Sequence, residues 1–222
     1  MRTGALPDEK LEGLGQLVGL IGARLNAHRL IVALAGPPGA GKSTIASILQ
    51  QRCVDELGAP TEIVPMDGFH LDDSVLRPRN LLARKGAENT FDVGGLVALL
   101  RRIRADTEDE IAGPVFDRAL ELSRAGALII TRRTRILIVE GNYLLLDSGP
   151  WAALRRLFDV SVRIRTPREL LRRRLVDRWT SFKLPSEEIA RKVEANDLPN
   201  GAMVDTSSIA PDLWLEWVVQ DR

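Results

Sequence analysis

The segment from Leu30 to Ser47, LIVALAGPPGAGKSTIAS, constrains the fold of this chain more than any other. Its first five residues are apolar and mostly branched, which is typical of a buried parallel strand. The eight residues from Gly36 to Ser43 match the pattern G-x-x-x-x-G-K-[S/T] at every fixed position, and an apolar periodicity typical of a helix follows. A strand, a loop and a helix in this order are the setting in which the pattern binds a nucleoside triphosphate.

Each residue type in this loop has a chemical role. Glycines allow successive N–H groups to turn toward one phosphate, and the helix that begins near Lys42 points the positive end of its dipole at the same place. Lys42 brings a mobile charge to the outer phosphates, and Ser43 offers a hydroxyl to Mg²⁺. A glycine-rich turn that binds nothing is the alternative, against which the flanking strand and helix argue. The residues predicted to bind ATP are Gly36, Pro37, Pro38, Gly39, Ala40, Gly41, Lys42, Ser43 and Thr44.

The composition limits the classes to which this protein can belong. Its 222 residues suffice for one α/β domain with a sizeable core, and its net charge of +1 gives no general reason to bind nucleic acid or an anionic membrane. No apolar run approaches the ~18 residues of a membrane span, and the N-terminus lacks the core of a signal peptide. The one cysteine, Cys53, fits a reducing compartment. We expect a cytoplasmic protein without nucleic-acid or membrane partners, and homodimerisation stays open.

The order of predicted elements favours a doubly wound α/β fold. Apolar runs predict strands at residues 30–34, 61–66, 127–131, 135–139 and 160–165. Apolar periodicities predict helices before residue 29 (with Asp8 as the cap), after the phosphate-binding loop, and at residues 92–104, 150–157, 167–182 and 186–195. Residues 213–219 fit either a strand or a helix. This alternation predicts a three-layer αβα fold around a parallel sheet, with ligands at the carboxyl ends of the strands.

We expect residues 1–222 to form a single domain in which three segments have distinct roles. Residues 1–29 are predicted to form an N-terminal helix that packs against the sheet. Residues 68–91 are polar, irregular and too long for a simple connector, so we expect them to form an acceptor-binding insert. Residues 167–200 are predicted to form a helical, arginine-rich lid and the helix that follows it.

Two acidic residues end predicted strands at the same edge of this sheet. Glu140 follows the run ILIV and precedes Gly141, an arrangement in which a carboxylate holds Mg²⁺ directly or through water. Asp67 ends the strand at 61–66 and can accept a proton from a substrate hydroxyl or join the metal shell. Either acid alone could equally cap a turn, but a phosphate-binding loop on the same sheet favours the catalytic interpretation. We therefore predict Ser43 and Glu140 as the metal site.

The segments GPPGAGKST, MDGFH and VEGNYLLLD together resemble the P-loop kinases that include uridine kinase, phosphoribulokinase and bacterial pantothenate kinase. The resemblance covers about residues 30–204. It implies that Asp67, in the D-x-F motif, is the catalytic base and that Glu140 is the metal-linked acid. The segments NDLPN at 196–200 and EGNYLLLD are most similar to a little-characterised subgroup labelled as nucleoside/nucleotide or sugar-uptake-associated kinases.

The lid segment also resembles this family. Residues 166–171, TPRELL, and 177–179, DRW, are similar to the lid pattern of pantothenate kinases, which implies that Arg178 reaches the phosphates when the lid closes. Uridine kinases carry paired arginines in this helix, matching Arg173 and Arg174. A solvated basic face is the alternative, and four arginines within seven residues cannot all point at one site. The predicted catalytic residues are Lys42, Asp67, Arg174 and Arg178.

The acceptor site departs from the pantothenate kinase pattern. Those kinases have Tyr-x-His where this chain has FDR at 116–118, and an aromatic lid residue where it has Leu175, so pantothenate itself is not favoured. His70 after Phe69 is closer to the D-x-F-H of phosphoribulokinases. Arg118 suits an anionic or polyhydroxylated acceptor. The residues predicted to bind the acceptor are Asp67, Phe69, His70, Lys85, Arg118, Asn142 and Asn196.

A GTPase switch and a regulatory or motor ATPase are the two alternatives to a kinase. A GTPase switch would use DVGG at 92–95, but no apolar strand precedes this D-x-x-G match and the chain has no N-K-x-D segment. A regulatory or motor ATPase would need no acceptor pocket, whereas residues 68–91 and Asp67 suggest one. We therefore expect a kinase that transfers the γ-phosphoryl group of ATP, with Mg²⁺ as cofactor, to a hydroxyl of a nucleoside, sugar or pantothenate-like metabolite.

Overall fold

The computed structural model describes residues 8–26 and 28–217. In chain order, the strands are β1 (Leu30–Ala35), β2 (Thr61–Pro65), β3 (Glu110–Asp117), β4 (Leu122–Thr131), β5 (Ile136–Gly141), β6 (Val160–Arg165) and β7 (Leu213–Glu216). The α-helices are α1 (Asp8–Arg24), α2 (Lys42–Leu57), α3 (Asp73–Leu76), α4 (Val93–Ala105), α5 (Arg168–Ser181), α6 (Ser186–Lys192) and α7 (Leu198–Ser207). Short 3₁₀ segments occupy Met66–Phe69, Leu82–Arg84, Glu88–Thr90 and Gly149–Leu157, and a π-helical segment occupies Val193–Asp197.

The described residues build a five-stranded parallel sheet in the order β2-β5-β1-β6-β7. Strands β1 and β5 lie at its centre and are buried along their whole length, because their near-continuous apolar runs are covered on both faces. Alternate residues of β1 point to opposite faces: Val32 and Leu34 join the core under α1 and α2, whereas Ile31 and Ala33 join the core under α4. The predicted αβα layering is therefore confirmed.

Most of the predicted elements correspond to observed ones. The strands predicted at 30–34, 61–66, 135–139 and 160–165 match β1, β2, β5 and β6, and the helices predicted at 92–104 and 167–182 match α4 and α5 within one or two residues. Asp92 caps α4, because its side chain accepts a hydrogen bond from the Gly95 N–H at 2.8 Å. The ambiguous tail forms β7 over residues 213–216. Residues 1–7 and 218–222, and the side chain of Asp8 with its predicted cap, lie outside what the structure describes.

Three predicted elements are present but differ from the prediction in their sheet, their helix type or their end. Residues 127–131 do not join the central sheet but belong to β4, which pairs antiparallel with β3 in a separate hairpin. Strand β3 was not predicted, because Gly113 and Pro114 interrupt its apolar pattern. The helix predicted at 150–157 is a 3₁₀ segment, and the helix predicted to end near 195 continues through the π-helical segment into α7.

The hairpin of β3 and β4 packs against the 3₁₀ segment that carries Asp67. Strand β3 passes so close to Gly68 that a Cβ atom there would overlap the Pro114 carbonyl oxygen and lie 2.8 Å from its carbon. Only glycine leaves room for this approach, so the hairpin and the turn after β2 are fixed against each other. No helix in the described part of the chain is long and apolar enough to cross a membrane.

We expect Gly68→Ala to destabilise the protein. The added methyl group has no space against the β3 backbone, and overpacking of this kind costs on the order of 1–3 kcal/mol of unfolding free energy. Equilibrium denaturant unfolding measures the change. Gly94→Ala is the matched control: Gly94 is exposed in the first turn of α4, where a Cβ meets only ordinary contacts, and alanine is neutral or stabilising by up to about 1 kcal/mol. Equal stabilities of the Gly68 variant and wild type would contradict the packing argument.

Candidate active site

The phosphate-binding loop lies between β1 and α2, as the sequence predicts, and two of its glycines are conformationally required. Gly39 and Gly41 have φ angles of 81° and 86°, which other residues rarely adopt. Gly41 immediately precedes α2, so the first free N–H groups of that helix open toward the loop. Helix α5 packs on the loop from outside, and a Cβ at Gly39 would lie 3.2 Å from Leu175 Cγ.

The loop residues divide into those that face a cavity and those that support it. Gly36, Pro37 and Ala40 are buried behind the loop, and the Pro37 carbonyl accepts hydrogen bonds from the Ala40 N–H at 3.1 Å and from Lys42 Nζ at 3.0 Å. The other six line a cavity of about 190 Å³, which we call the loop cavity. Its lining residues are Pro38, Gly39, Gly41, Lys42, Ser43, Thr44, Asp67, Arg118, Glu140, Asn142 and Arg178.

Ser43 and Glu140 meet at the floor of the loop cavity. Ser43 Oγ donates a hydrogen bond to Glu140 Oε1 at 3.1 Å. Burial raises the pKa of Glu140, partly offset by the charge of Lys42. A hydroxyl and a carboxylate oxygen are the hard donors that suit Mg²⁺, which in such sites completes its shell with water and phosphate oxygens. The two side chains therefore fit the predicted metal.

Asp67 lies two residues beyond the end of β2, in the 3₁₀ segment, and its half-buried carboxylate faces the loop cavity. Arg118, in the turn of the β3–β4 hairpin, donates from Nη2 to Asp67 Oδ2 at 2.5 Å. Burial alone would raise the pKa of Asp67, but His70 in its protonated form and the charges of Arg118, Lys42 and Arg178 lower it on balance. The carboxylate is therefore ionised at neutral pH.

A second cavity, of about 110 Å³, adjoins the first and is lined by aromatic and charged side chains. We call it the aromatic cavity. The two cavities have five lining residues in common, and these form the shared wall: Pro38, Asp67, Arg118, Asn142 and Arg178. The remaining lining residues of the aromatic cavity are His70, Lys85, Gly86, Phe91, Phe116, Glu121, Trp179, Lys192 and Asp197.

His70 joins the aromatic side chains of this cavity to the turn that carries Asp67. Its ring lies 4.2 Å from that of Phe91 and 4.7 Å from that of Phe116, between centroids. Its Nδ1 is 2.8 Å from the Asp67 carbonyl oxygen, so the neutral tautomer with a proton on Nδ1 fits this contact. Burial lowers the pKa of His70, although Asp67 opposes the shift. We assign a neutral imidazole at pH 7.

The other predicted acceptor-site residues occupy different positions. Lys85 lines the aromatic cavity, but its Nζ donates to Asp73 Oδ1 at 2.6 Å and to the Glu121 carbonyl at 2.7 Å. Phe69 is buried in the core beneath the turn. Asn196 does not line either cavity; its Nδ2 donates to the Lys85 carbonyl at 3.2 Å.

Of the two predicted lid arginines, one lines the cavities and the other supports the phosphate-binding loop. Arg178 lines both cavities, and burial lowers its pKa, as does the charge of Arg118. Arg174 instead donates from Nη1 to the Gly39 carbonyl at 3.3 Å, which links α5 to the phosphate-binding loop. Only Arg178 of this pair therefore reaches the shared wall.

Sequence reasoning missed several residues that line the aromatic cavity. Phe116 had a signal, because it stands at the position of an aromatic residue in pantothenate kinases, and Asp197 lies within the NDLPN segment. Trp179 belongs to the DRW segment that resembles the lid pattern, where only Arg178 was given a role. Phe91 and Lys192 come from two further segments, and only the fold brings the three residues together.

We expect the binding of MgATP near pH 8 to take up a proton. Burial lowers the pKa of Lys42 to about 8, although Glu140 and Asp67 favour its charged form. At pH 8 roughly half of the lysine is therefore neutral, and phosphate charge in the loop cavity favours its protonation. Calorimetry in two buffers of different ionisation enthalpy measures the uptake. Lys42→Arg is the control because arginine stays charged, and equal uptake by both proteins would refute the assignment.

The sequence and the fold of this chain are similar to those of known proteins. No family model matches the chain. A provisionally named uridine kinase of Schizosaccharomyces pombe is 33% identical over 196 residues, covering 85% of this chain and 83% of that protein. A crystal structure from Silicibacter sp. TM1040, provisionally assigned as a fructose transport system kinase, is 39% identical with a TM-score of 0.85, and the match covers 92% of this chain and 98% of that one.

The chain is also similar, at lower sequence identity, to kinases named for pantothenate. A pantothenate kinase of Chelativorans sp. (strain BNC1) is 29% identical over 196 residues, which cover 83% of this chain and 59% of that protein. The names of these relatives give different acceptors. The chain therefore belongs to the P-loop kinases of the uridine kinase, phosphoribulokinase and bacterial pantothenate kinase family, and it is a small-molecule kinase.

Proposed function

We propose that this kinase transfers the γ-phosphoryl group of ATP to a hydroxyl group of a small metabolite held in the aromatic cavity. The observation that carries the proposal is the shared wall, where Asp67 and Arg178 face both cavities. A donor phosphate in the loop cavity and an acceptor hydroxyl in the aromatic cavity would meet at this wall. Phosphoryl transfer requires such an approach of the attacking oxygen to the γ-phosphorus.

Charge in the loop cavity suits a triphosphate. Lys42 and the N–H groups at the start of α2 surround the space in which phosphates would lie. Ser43 and Glu140 would hold Mg²⁺, which neutralises phosphate charge when it is bound. Arg178 stabilises the charge of the transferring group from the lid side, as an arginine at the reacting phosphate does in other kinases and GTPases.

Asp67 is the base in this proposal. Its carboxylate accepts the proton of the acceptor hydroxyl as the new oxygen–phosphorus bond forms and the bond to ADP breaks. The lowered pKa of Asp67 keeps it ionised and able to accept this proton at neutral pH, although it also makes the group a weak base. Weak basicity suffices because positioning and charge stabilisation supply most of the rate in phosphoryl transfer.

The aromatic cavity also favours a kinase over a regulatory ATPase. An enzyme that only hydrolyses ATP needs no second lined cavity beside its phosphates, whereas here ring stacking and charged groups line one. The names of the relatives include uridine, pantothenate and fructose-transport kinases, so they do not select one acceptor.

A screen of acceptors tests the proposed function. We expect ADP release from MgATP to rise at least tenfold with one or more members of a panel of nucleosides, sugars, sugar phosphates, hydroxy acids and pantothenate. Mass spectrometry should find one added phosphoryl group on the same compound. Slow ATP turnover that no member of the panel accelerates would instead support the regulatory ATPase.

The two carboxylates should show different defects. Asp67→Asn removes the proton acceptor and should lower kcat by about 10²–10⁴-fold with little change in ATP affinity. Glu140→Gln weakens an oxygen donor for Mg²⁺ and should raise the Mg²⁺ concentration needed for half-maximal rate. Steady-state rates across a Mg²⁺ titration, with ATP binding measured separately, distinguish the two effects. Superimposable Mg²⁺ titrations of wild type and Glu140→Gln would contradict the assignment of Glu140 as a Mg²⁺ ligand.

A further inference from the structure

The ion pair of Arg118 with Asp67 engages the group that the proposed function requires as a base. The guanidinium lies 2.5 Å from Asp67 Oδ2, and both residues belong to the wall that the two cavities share. While this pair holds, the positive charge on Oδ2 makes the carboxylate a weaker proton acceptor and covers one of its two oxygens. Asp67 is therefore a stronger and more accessible base when Arg118 binds something else.

The hairpin allows this side chain to move without moving its backbone. The turn after β3 is held by Asp117 Oδ1, which accepts hydrogen bonds from the N–H groups of Ala119 and Leu120 at 3.0 and 3.2 Å. Lys85 Nζ donates to the Glu121 carbonyl at 2.7 Å and fixes the other end of the turn. The Arg118 side chain itself is 44% exposed. A change of its rotamers is therefore enough to release Asp67.

The charges around the aromatic cavity indicate what would draw Arg118 away. Its lining includes four cationic side chains, on Lys85, Arg118, Arg178 and Lys192, against the three acids Asp67, Glu121 and Asp197. A neutral acceptor would offer the guanidinium only uncharged hydrogen-bond acceptors in place of the carboxylate. An anionic group offers an equivalent charge-assisted hydrogen bond, so the exchange costs little.

We propose that Arg118 gates the base, and that the acceptor of this kinase is a small hydroxylated anion whose carboxylate or phosphate group draws Arg118 off Asp67. The proposal rests on the proposed function. It assigns to Arg118 both the recognition of the acceptor and the suppression of ATP hydrolysis while the acceptor is absent. No covalent bond changes in the exchange, and the freed carboxylate then accepts the hydroxyl proton as the phosphoryl group is transferred.

Hydrolysis of ATP without an acceptor tests the gate directly. Arg118→Gln leaves Asp67 free to orient and deprotonate water, so acceptor-free ADP release should rise on the order of tenfold over wild type. Arg124→Gln is the matched control, because Arg124 lies on the same hairpin, pairs with Asp117 at 3.4 Å and lines neither cavity. It should hydrolyse ATP at the wild-type rate. The double variant Arg118→Gln with Asp67→Asn should lose the increase.

Matched pairs of acceptors test the charge requirement. Initial rates are compared for glycerate against glycerol and for ribose 5-phosphate against ribose, which distinguishes a carboxylate from a phosphate as the recognised anion. For wild type we expect kcat/KM at least tenfold higher with the anionic member of one pair, and we expect Arg118→Gln to lose this preference. Equal or faster reaction of the neutral member in both pairs would overturn the assignment of an anionic acceptor.

Different results would contradict the proposed function and the proposed role of Arg118. Absence of ATP binding to wild type, measured by calorimetry with MgATP, would overturn the proposed function itself. Normal ATP binding with no rise in acceptor-free hydrolysis for Arg118→Gln would overturn only the gate.

Discussion

The parallel register of three strands determines where the proposed catalytic groups Lys42, Asp67 and Glu140 lie. Strand β5 pairs with β1 on one side and β2 on the other, so that Glu140 stands opposite Leu34 and Pro65. The chain leaves β1 into the phosphate-binding loop and leaves β2 into the turn that carries Asp67. Because the carboxyl ends of parallel strands share one edge, the loop, the proposed metal ligand Glu140 and the proposed base Asp67 converge there. A shift of β5 by one residue would turn Glu140 away from Ser43.

The second layer of the site depends on elements outside the sheet. The β3–β4 hairpin rests on Gly68 and delivers Arg118 to Asp67, while α5 rests on Gly39 and delivers Arg178 to the same wall. Opposite charges at the wall lower the pKa of Asp67 despite its burial. In the absence of ligand, the negative charge of Asp67 is therefore compensated by the positive charges of Arg118, Arg178 and Lys42.

Local patterns predicted the parts of this site that a single segment builds. The apolar runs of β1 and β5 and the glycine spacing of the loop are properties of consecutive residues, so the sequence alone could select Lys42, Ser43 and Glu140, which line the loop cavity. Strand β3 was missed because its stability comes from pairing with β4 rather than from its own pattern.

The aromatic cavity could not be predicted for a related reason. Its walls come from segments near residues 70, 91, 116, 179 and 192, which only tertiary packing brings together. Asn196 was predicted to bind the acceptor from the resemblance of its segment, but its amide holds the Lys85 carbonyl. A motif marks such a residue without indicating whether it contacts a ligand or supports a residue that does.

A crystal structure with Mg²⁺ and a non-hydrolysable ATP analogue would test the central claim most directly. The account predicts that the terminal phosphate lies in the loop cavity beside Lys42 and Arg178, open toward the aromatic cavity across the wall that contains Asp67. Mg²⁺ should lie beside Ser43 on the side of Glu140. A terminal phosphate that points away from this wall, with Asp67 and the aromatic cavity closed off from it, would contradict the account.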